Sequence, residues 1–214
     1  MRLLDLFCGA GGAATGYARA GFEVVGVDIE PQPNYPFEFV QADALGFPLD
    51  GFDLVHASPP CQAFTAYKRR PNHVLPAPNL IVAIRHRLLL RGVPYVIENV
   101  PGAPLDEPIQ LCGSAFGLGV RRHRLFESSL PLWASPCAHG VQQGGYPPAS
   151  NRANRRRTAE IGVWRIPLTE QQEAMGIDWM NLVELSEAIP PIYTEFIGSQ
   201  AFRHLSDARR RPSD

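Results

Sequence analysis

Between His56 and Arg70 the chain reads HASPPCQAFTAYKRR. Two prolines stiffen the backbone immediately before Cys61, and a cationic stretch follows. A structural cysteine needs neither neighbour. A nucleophile that must meet a nucleic-acid base uses both: the prolines fix where the sulfur points, while Lys68, Arg69 and Arg70 attract phosphate. A second candidate site lies near the start, where DLFCGAGG sets Gly9, Gly11 and Gly12 behind an apolar run. Glycines at such a place let a ligand approach the backbone and let the next helix offer free N–H groups. Asp28 closes the following apolar run and is placed to accept hydrogen bonds from ribose hydroxyls; Asp43, after the next run, could bind an adenine amino group. The glycines do not complete G-x-G-x-x-G, so a diphosphate is not required. Adenosine with a zwitterionic tail, as in S-adenosylmethionine (SAM), fits equally well.

The elements that must position these residues can be read from periodicity. RLLDLF has the pattern of a buried strand, CGAGG of the turn after it, and AATGYARAG of a helix stopped by Gly21. FEVVGVD, FEFVQAD, FDLVHAS and PYVIENV read as further strands, with NLIVAIRHRLLLRG as a helix before the last of them. Strands alternating with helices imply an α/β domain with a largely parallel sheet. RRHRLFES then reads as a strand flanked by charge, and about 130–154 as a loop rich in Pro, Gly, Gln and Ser. TEQQEAMGI and EAIPPIYTEFIGSQAFRHL read as helices, the second carrying its prolines near the start.

The 214 residues, 45% hydrophobic and 19% charged, suit one domain with a sizeable core. No run of about 18 apolar residues appears, and MRLLDLF lacks a basic flank or cleavage site. A soluble, cytoplasmic chain with no membrane partner is expected. Cys8, Cys61, Cys112 and Cys137 are widely spaced without a C-x-x-C pair, which argues against a disulfide framework or zinc module. Cys137 and His139 make at most half a metal site; with no second pair nearby, no metal is expected. Net charge is −1, yet the positive charge is nearly all arginine and gathers at Lys68–Arg70, Arg121–Arg124, Arg152–Arg157 and Arg209–Arg211. The last cluster reads as a frayed tail, the others as places for phosphate contacts.

DLFCGAGG, GVDIE, SPPCQ, ENV and RRHRL, in this order and with these gaps, resemble the DNA cytosine-5 methyltransferase family. LTEQQEAMGI and EAIPPIYTEFIG are similar to its late motifs. The resemblance implies a Rossmann-like SAM-dependent methyltransferase fold: a mostly parallel seven-stranded sheet with helices on both faces, the last helix returning beside the first. It implies methyl transfer from SAM to carbon 5 of cytosine in DNA. In that chemistry Cys61 adds to carbon 6 and makes the ring enamine-like, and Glu98 serves ring nitrogen 3 and the exocyclic amine while holding or sharing a proton. Arg124 donates to the base carbonyl, Arg122 helps to place Glu98 or a phosphate, and Asn99 orients the loop. The implied cofactor contacts are Phe7, Gly9, Ala10, Gly12, Asp28, Ile29, Asp43, Ala44, Pro60 and Leu80. Gln62, Lys68, Arg69, Arg70, Arg155 and Arg156 are the implied DNA contacts, with the base turned out of its duplex.

Where the chain departs from the family pattern, specificity is put in doubt. Only about forty residues separate Ser128 from Leu168, too few for an ordinary recognition domain. Val120 stands where the family has glutamine, and Ser186-Glu187 where it has Gly-Asn, which leaves Glu187 out of the expected site. Three other readings stay open. Transfer RNA is one alternative substrate. An amino-group methyltransferase is the next, although SPPC lacks its aromatic and gives Glu98 and Arg124 no purpose. The third is a catalytically silent DNA-binding relative, whose signature would be loss of the cysteine or glutamate. The expected organisation is one monomeric domain over 1–214, with 129–165 as a short variable region and 166–205 as helices returning to the cofactor side. Double-stranded DNA is its expected partner, and its size suits a phage or a mobile element.

Overall fold

The computed structural model describes residues 1–62, 64, 80–143 and 156–210. Its central sheet comprises β1 (Arg2–Leu6), β2 (Glu23–Asp28), β3 (Glu38–Gln41), β4 (Leu54–Ala57), β5 (Tyr95–Asn99), β6 (Ile109–Leu111) and β7 (Arg124–Ser128). They lie in the order β3-β2-β1-β4-β5-β7-β6. The first five are parallel, and β7 runs antiparallel to both β5 and β6. This is the Rossmann-like fold of SAM-dependent methyltransferases, a mostly parallel seven-stranded sheet with helices.

Both faces of the sheet are covered, which is why β1 and β4 read as nearly unbroken apolar runs. Alternate residues divide between two layers. Leu3, Val24, Leu54 and Val96 pack under α1 (Gly12–Arg19) and α5 (Pro191–Arg210), together with Tyr17, Tyr193 and Ile197. Leu4, Leu6, Val27, Val55 and Ile97 pack under α2 (Leu80–Arg91), through Ile84 and Leu88. The last helix therefore does return beside the first. A Cβ on Gly16 would lie 2.0 Å from the carbonyl oxygen of Pro191, so α1 and α5 approach at a distance only glycine permits. A third cluster joins α3 (Leu168–Met175) and α4 (Leu182–Glu187) to the loop after β1, through Ala10, Val120, Met175, Met180 and Leu185.

The strand order reverses direction at β1, whose neighbours are β2 on one side and β4 on the other. In open α/β sheets ligands settle outside the carboxyl ends of the strands at such a point. The loops after β1, β2, β4 and β5 all open there. Because β7 is reversed, its first residue, Arg124, comes to the same edge.

The structure departs from the sequence reading in three places. EAIPPIYTEFIGSQAFRHL is not one helix: α4 ends at Glu187, Ala188 is extended (φ −61°, ψ 156°), and α5 begins at Pro191. Pro190 disfavours helical backbone at Ile189, while Pro191 suits a first helical position. The three-residue β6 was not anticipated. The stretch from 130 onward contains a 3-10 turn at His139–Val141 and a short strand β8 (Gln142–Gln143), which pairs with β9 (Arg156–Arg157). No helix among the described residues is long and apolar enough to cross a membrane.

Candidate active site

Ser58, Pro59, Pro60 and Cys61 follow β4, and Glu98 and Asn99 end the neighbouring β5. The two loops are pinned together: the buried Asn99 amide donates to the Pro59 carbonyl at 2.8 Å. Asn99 thus ties the end of β5 to the loop that carries Cys61. Cys61 is half-buried, and Phe64 N–H bonds its carbonyl at 2.8 Å. Burial first, then the Glu98 charge, raise its thiol above the ordinary range, with Arg124 opposing.

Glu98 is buried and paired with Arg124, whose Nε lies 3.2 Å from Oε1. Burial raises its carboxyl above the ordinary range against the opposing pull of Arg124, a Ser58 hydroxyl bond and Arg122. Such a carboxyl can keep a proton that an exposed glutamate would lose. Cys61, Glu98 and Arg124 therefore share one electrostatic neighbourhood at the mouth of the crevice.

Behind Glu98 runs a buried polar chain absent from the sequence reading. Asp5 stands opposite His56 across β1 and β4, and Glu98 lies two residues beyond Val96, the β5 partner of His56, so all three fall on the face covered by α1. Tyr17 hydroxyl meets His56 Nδ1 at 3.0 Å, and His56 Nε2 meets Ser58 Oγ at 2.8 Å. Burial pushes His56 down to about 3, so its ring is neutral. The directions then follow from each group's capacity: Tyr17 donates to Nδ1, Nε2–H donates to Ser58, and Ser58 donates to Glu98. Asp5, also fully buried, is raised well above the carboxylate range by burial and then by Asp28.

Arg122, whose charge lowers Glu98, also has a structural part. Its Nε donates to the Ala188 carbonyl and its Nη2 to the Ser186 carbonyl, each at 2.7 Å. These two bonds tie the loop before β7 to the α4–α5 junction. Tyr193 hydroxyl bonds the carbonyls of Arg121 and Arg122 at 3.1 and 2.9 Å, gripping the same loop. Arg122 adopts φ 38°, in the left-handed region, which this grip must hold. Glu187 sits close enough for its charge to raise the Cys61 thiol, a proximity that its mismatch with the family pattern had obscured. A cleft of about 410 Å3 opens beside these arginines, lined by Val120, Arg121, Arg122, Arg124 and residues 158–161.

At the other side of the crevice, Gly9 and Gly11 take φ 47° and 84°, and Phe7 takes φ 58°. Nothing lies within 4 Å of where a Gly9 Cβ would stand, so a ligand can reach the backbone there. Gly12 differs: the Ile189 carbonyl would meet its Cβ at 2.7 Å, so helix packing also demands that glycine. Asp28 accepts from Gly9 N–H at 3.0 Å and Glu30 N–H at 3.1 Å, which fixes its carboxylate while leaving further lone pairs. Ile29 beside it is exposed, a flat apolar surface against which an adenine can lie. Asp43 is exposed, with one oxygen taken by Leu45 N–H at 2.9 Å. Ala44 is buried with its carbonyl bonded by Arg87 at 2.9 Å, and Ala10 is buried with its carbonyl bonded by Trp179 Nε1 at 2.9 Å. Pro60 is half-buried beside Cys61, and Leu80 opens α2. An open glycine turn, an oriented carboxylate and an exposed apolar neighbour fit SAM.

Of the expected nucleic-acid contacts, Gln62 is exposed next to Cys61. Lys68, Arg69, Arg70 and Arg155 lie outside the described residues, and Arg156 contributes its backbone to β9. Gln142, within the stretch read as loop, is buried and donates to the carbonyls of Leu118 and Val120 at 2.9 and 3.2 Å.

No protein-family model matches the chain. Over 164 residues it is 32% identical to the type II methyltransferase M.AgeI of Thalassovita gelatinovora, covering 67% of this chain. The chain spans 37% of that relative's length. Among solved structures, a candidate DNA modification methyltransferase encoded within an E. coli prophage superposes with a TM-score of 0.62 at 16% identity, over 97% of this chain and 99% of that one. A Spodoptera frugiperda DNMT2 variant superposes with a TM-score of 0.61 at 13% identity, over 96% and 99%. Both likenesses are likenesses of fold.

Proposed function

We propose that this protein is a SAM-dependent methyltransferase that modifies carbon 5 of cytosine in DNA through a transient bond to Cys61. The observation that carries the reading is the convergence of Cys61, Glu98 and Arg124 at one edge of a methyltransferase sheet, with an electrostatic coupling that runs through all three. Similarity to a type II methyltransferase supports DNA as the substrate.

Gly9, Asp28, Ile29 and Asp43 would hold the cofactor, with Phe7, Ala10, Gly12, Ala44, Pro60 and Leu80 around it. When bound, SAM supplies an electrophilic methyl group. Cys61 supplies the sulfur that adds to carbon 6 of the flipped-out base, making carbon 5 nucleophilic. Glu98, with its raised affinity for a proton, hydrogen-bonds ring nitrogen 3 as charge develops there, and Arg124 holds the base carbonyl. After the methyl group is in place, water acting as base takes the carbon-5 proton, the sulfur–carbon 6 bond breaks with its electron pair returning to Cys61 as thiolate, and the ring regains its double bond. Arg122, Asn99 and Tyr193 keep the three reacting side chains in register. Gln62, Lys68, Arg69, Arg70, Arg155 and Arg156 are proposed to meet the DNA backbone.

The short span between Ser128 and Leu168 permits a second reading, the same chemistry on transfer RNA. The test incubates the protein with isotopically labelled SAM and either duplex DNA or transfer RNA, then digests the product to nucleosides. Label in 5-methyl-2′-deoxycytidine is expected. Label in N4-methylcytosine or N6-methyladenine overturns the mechanism, label in RNA alone moves the substrate, and no transfer to either overturns the activity.

A further inference from the structure

Away from the crevice, four side chains bring their ligand atoms within 4.8 Å of one another: Cys112, His123, Cys137 and His139. We infer that they form a structural zinc site that clips the segment after β7 to the loop carrying Arg122 and Arg124. Sequence spacing hides the site, because only Cys137-x-His139 is local. The antiparallel pairing of β6 with β7 supplies the other half: Leu111 faces Arg124, so the next residues outward, Cys112 and His123, stand opposite each other.

The donor set and its geometry point to zinc. Two thiolates and two imidazoles are the donors of closed tetrahedral zinc centres. Bonds of roughly 2.3 Å to sulfur and 2.0 Å to nitrogen put the ligands of such a tetrahedron some 3.3–3.8 Å apart. Cys112 Sγ lies 3.2 Å from His139 Nε2, and Cys137 Sγ lies 3.4 Å from His123 Nε2. The two imidazole rings meet edge to face with centroids 5.1 Å apart, leaving both Nε2 atoms turned to the thiols. Two thiolates neutralise a divalent cation, so the assembled centre adds no net charge beside the buried Cys112. All four positions are protein ligands, which suits a structural site and leaves none open for catalysis.

Outer partners complete the arrangement. Ser114 Oγ lies 3.0 Å from Cys112 Sγ and accepts the Ala138 N–H at 3.0 Å, so one hydroxyl orients a ligand and holds the strand that delivers Cys137 and His139. Gln110 Nε2 approaches Cys137 Sγ at 3.9 Å. His123 sits between Arg122, which holds the α4–α5 junction, and Arg124, which holds Glu98. The metal thereby fixes the backbone on which the base-binding arginine stands.

The test is elemental analysis of the full chain purified under reducing conditions, followed by chelation and cobalt(II) replacement. About one zinc per chain is expected, with the intense visible spectrum of a tetrahedral cobalt–dithiolate centre after exchange. Cys137→Ser and His139→Ala, at the outer edge of the cluster, should each lower the zinc content at least tenfold with the circular dichroism unchanged; Cys61→Ser should retain it. Failure to take up stoichiometric zinc or cobalt, a six-coordinate cobalt spectrum, a Cys112–Cys137 disulfide in place of metal, or zinc retained in both variants overturns the site. Should either variant misfold, the cobalt spectrum of the unmodified chain decides. None of these readouts involves methyl transfer, so they stand or fall separately from the proposed activity.

Discussion

Cys61 and Glu98 are both raised, and each raises the need for the other. In the proposed mechanism the reactive pair, thiolate with protonated carboxyl, carries the same number of protons as thiol with carboxylate. Its population is therefore constant between the two titrations and falls outside them. A kcat/KM profile should show a plateau whose acidic limb lies above the ordinary glutamate value of 4.5 and whose alkaline limb lies above the ordinary thiol value of 9.0. Glu98→Gln should lower the rate by about 10²- to 10⁴-fold and replace the acidic limb by a single rise in the thiol range. An acidic limb unchanged in that variant would contradict the pairing. Ser58 gives a finer test. Its hydroxyl bond lowers Glu98, so Ser58→Ala should move the acidic limb upward and leave the alkaline limb in place. A change in stability alone, with both limbs fixed, would reduce Ser58 to a packing residue. Cys61, Glu98 and Arg124 were legible because each is a reactive type in a distinctive local sequence. Ser58, His56 and Tyr17 were not, since His56 and Ser58 carry no distinctive motif and Tyr17 reaches His56 only when α1 closes over β4.

At the scale of elements, the strands and helices that carry the crevice follow from local patterns: apolar runs buried on two faces, and glycines where the chain must turn. Patterns of that kind say little about direction. RRHRLFES reads as a strand, but only the sheet shows that it runs backwards, and that reversal brings Arg124 to the edge where Glu98 ends β5. The three residues of β6 are too few for a periodic signal. Arg122, read as helping to place Glu98 or a phosphate, also meets carbonyls that the bend at Pro190 exposes, a pairing that no local sequence signal marks. The α1–α5 contact offers a direct check on the packing. Gly16→Ala places a methyl group 2.0 Å from a backbone oxygen that cannot move without the helix. It should cost about 3 kcal/mol in urea unfolding, with the slope of the transition unchanged. A loss near zero would mean that the two helices are not in contact as described.

For the molecule as a whole, what composition conveyed was class rather than partner. A net charge of −1 conceals arginines that gather at the crevice edge, so bulk charge did not point to nucleic acid. The cluster at Cys112, His123, Cys137 and His139 escaped for a related reason: its members are local in space and dispersed along the chain. Substrate choice is equally non-local. The chain spans 37% of the length of M.AgeI, and about forty residues separate Ser128 from Leu168. Covalent catalysis, by contrast, depends on one atom and can be tested on it. Duplex DNA bearing 5-fluorocytosine cannot release the carbon-5 substituent as a proton, so the adduct should persist. With SAM present, mass spectrometry should find a complex of protein, DNA strand and one methyl group, joined at Cys61 and absent in Cys61→Ser. Methyl transfer to ordinary DNA that continues in Cys61→Ser, with no trapped complex from the unmodified protein, would contradict the account.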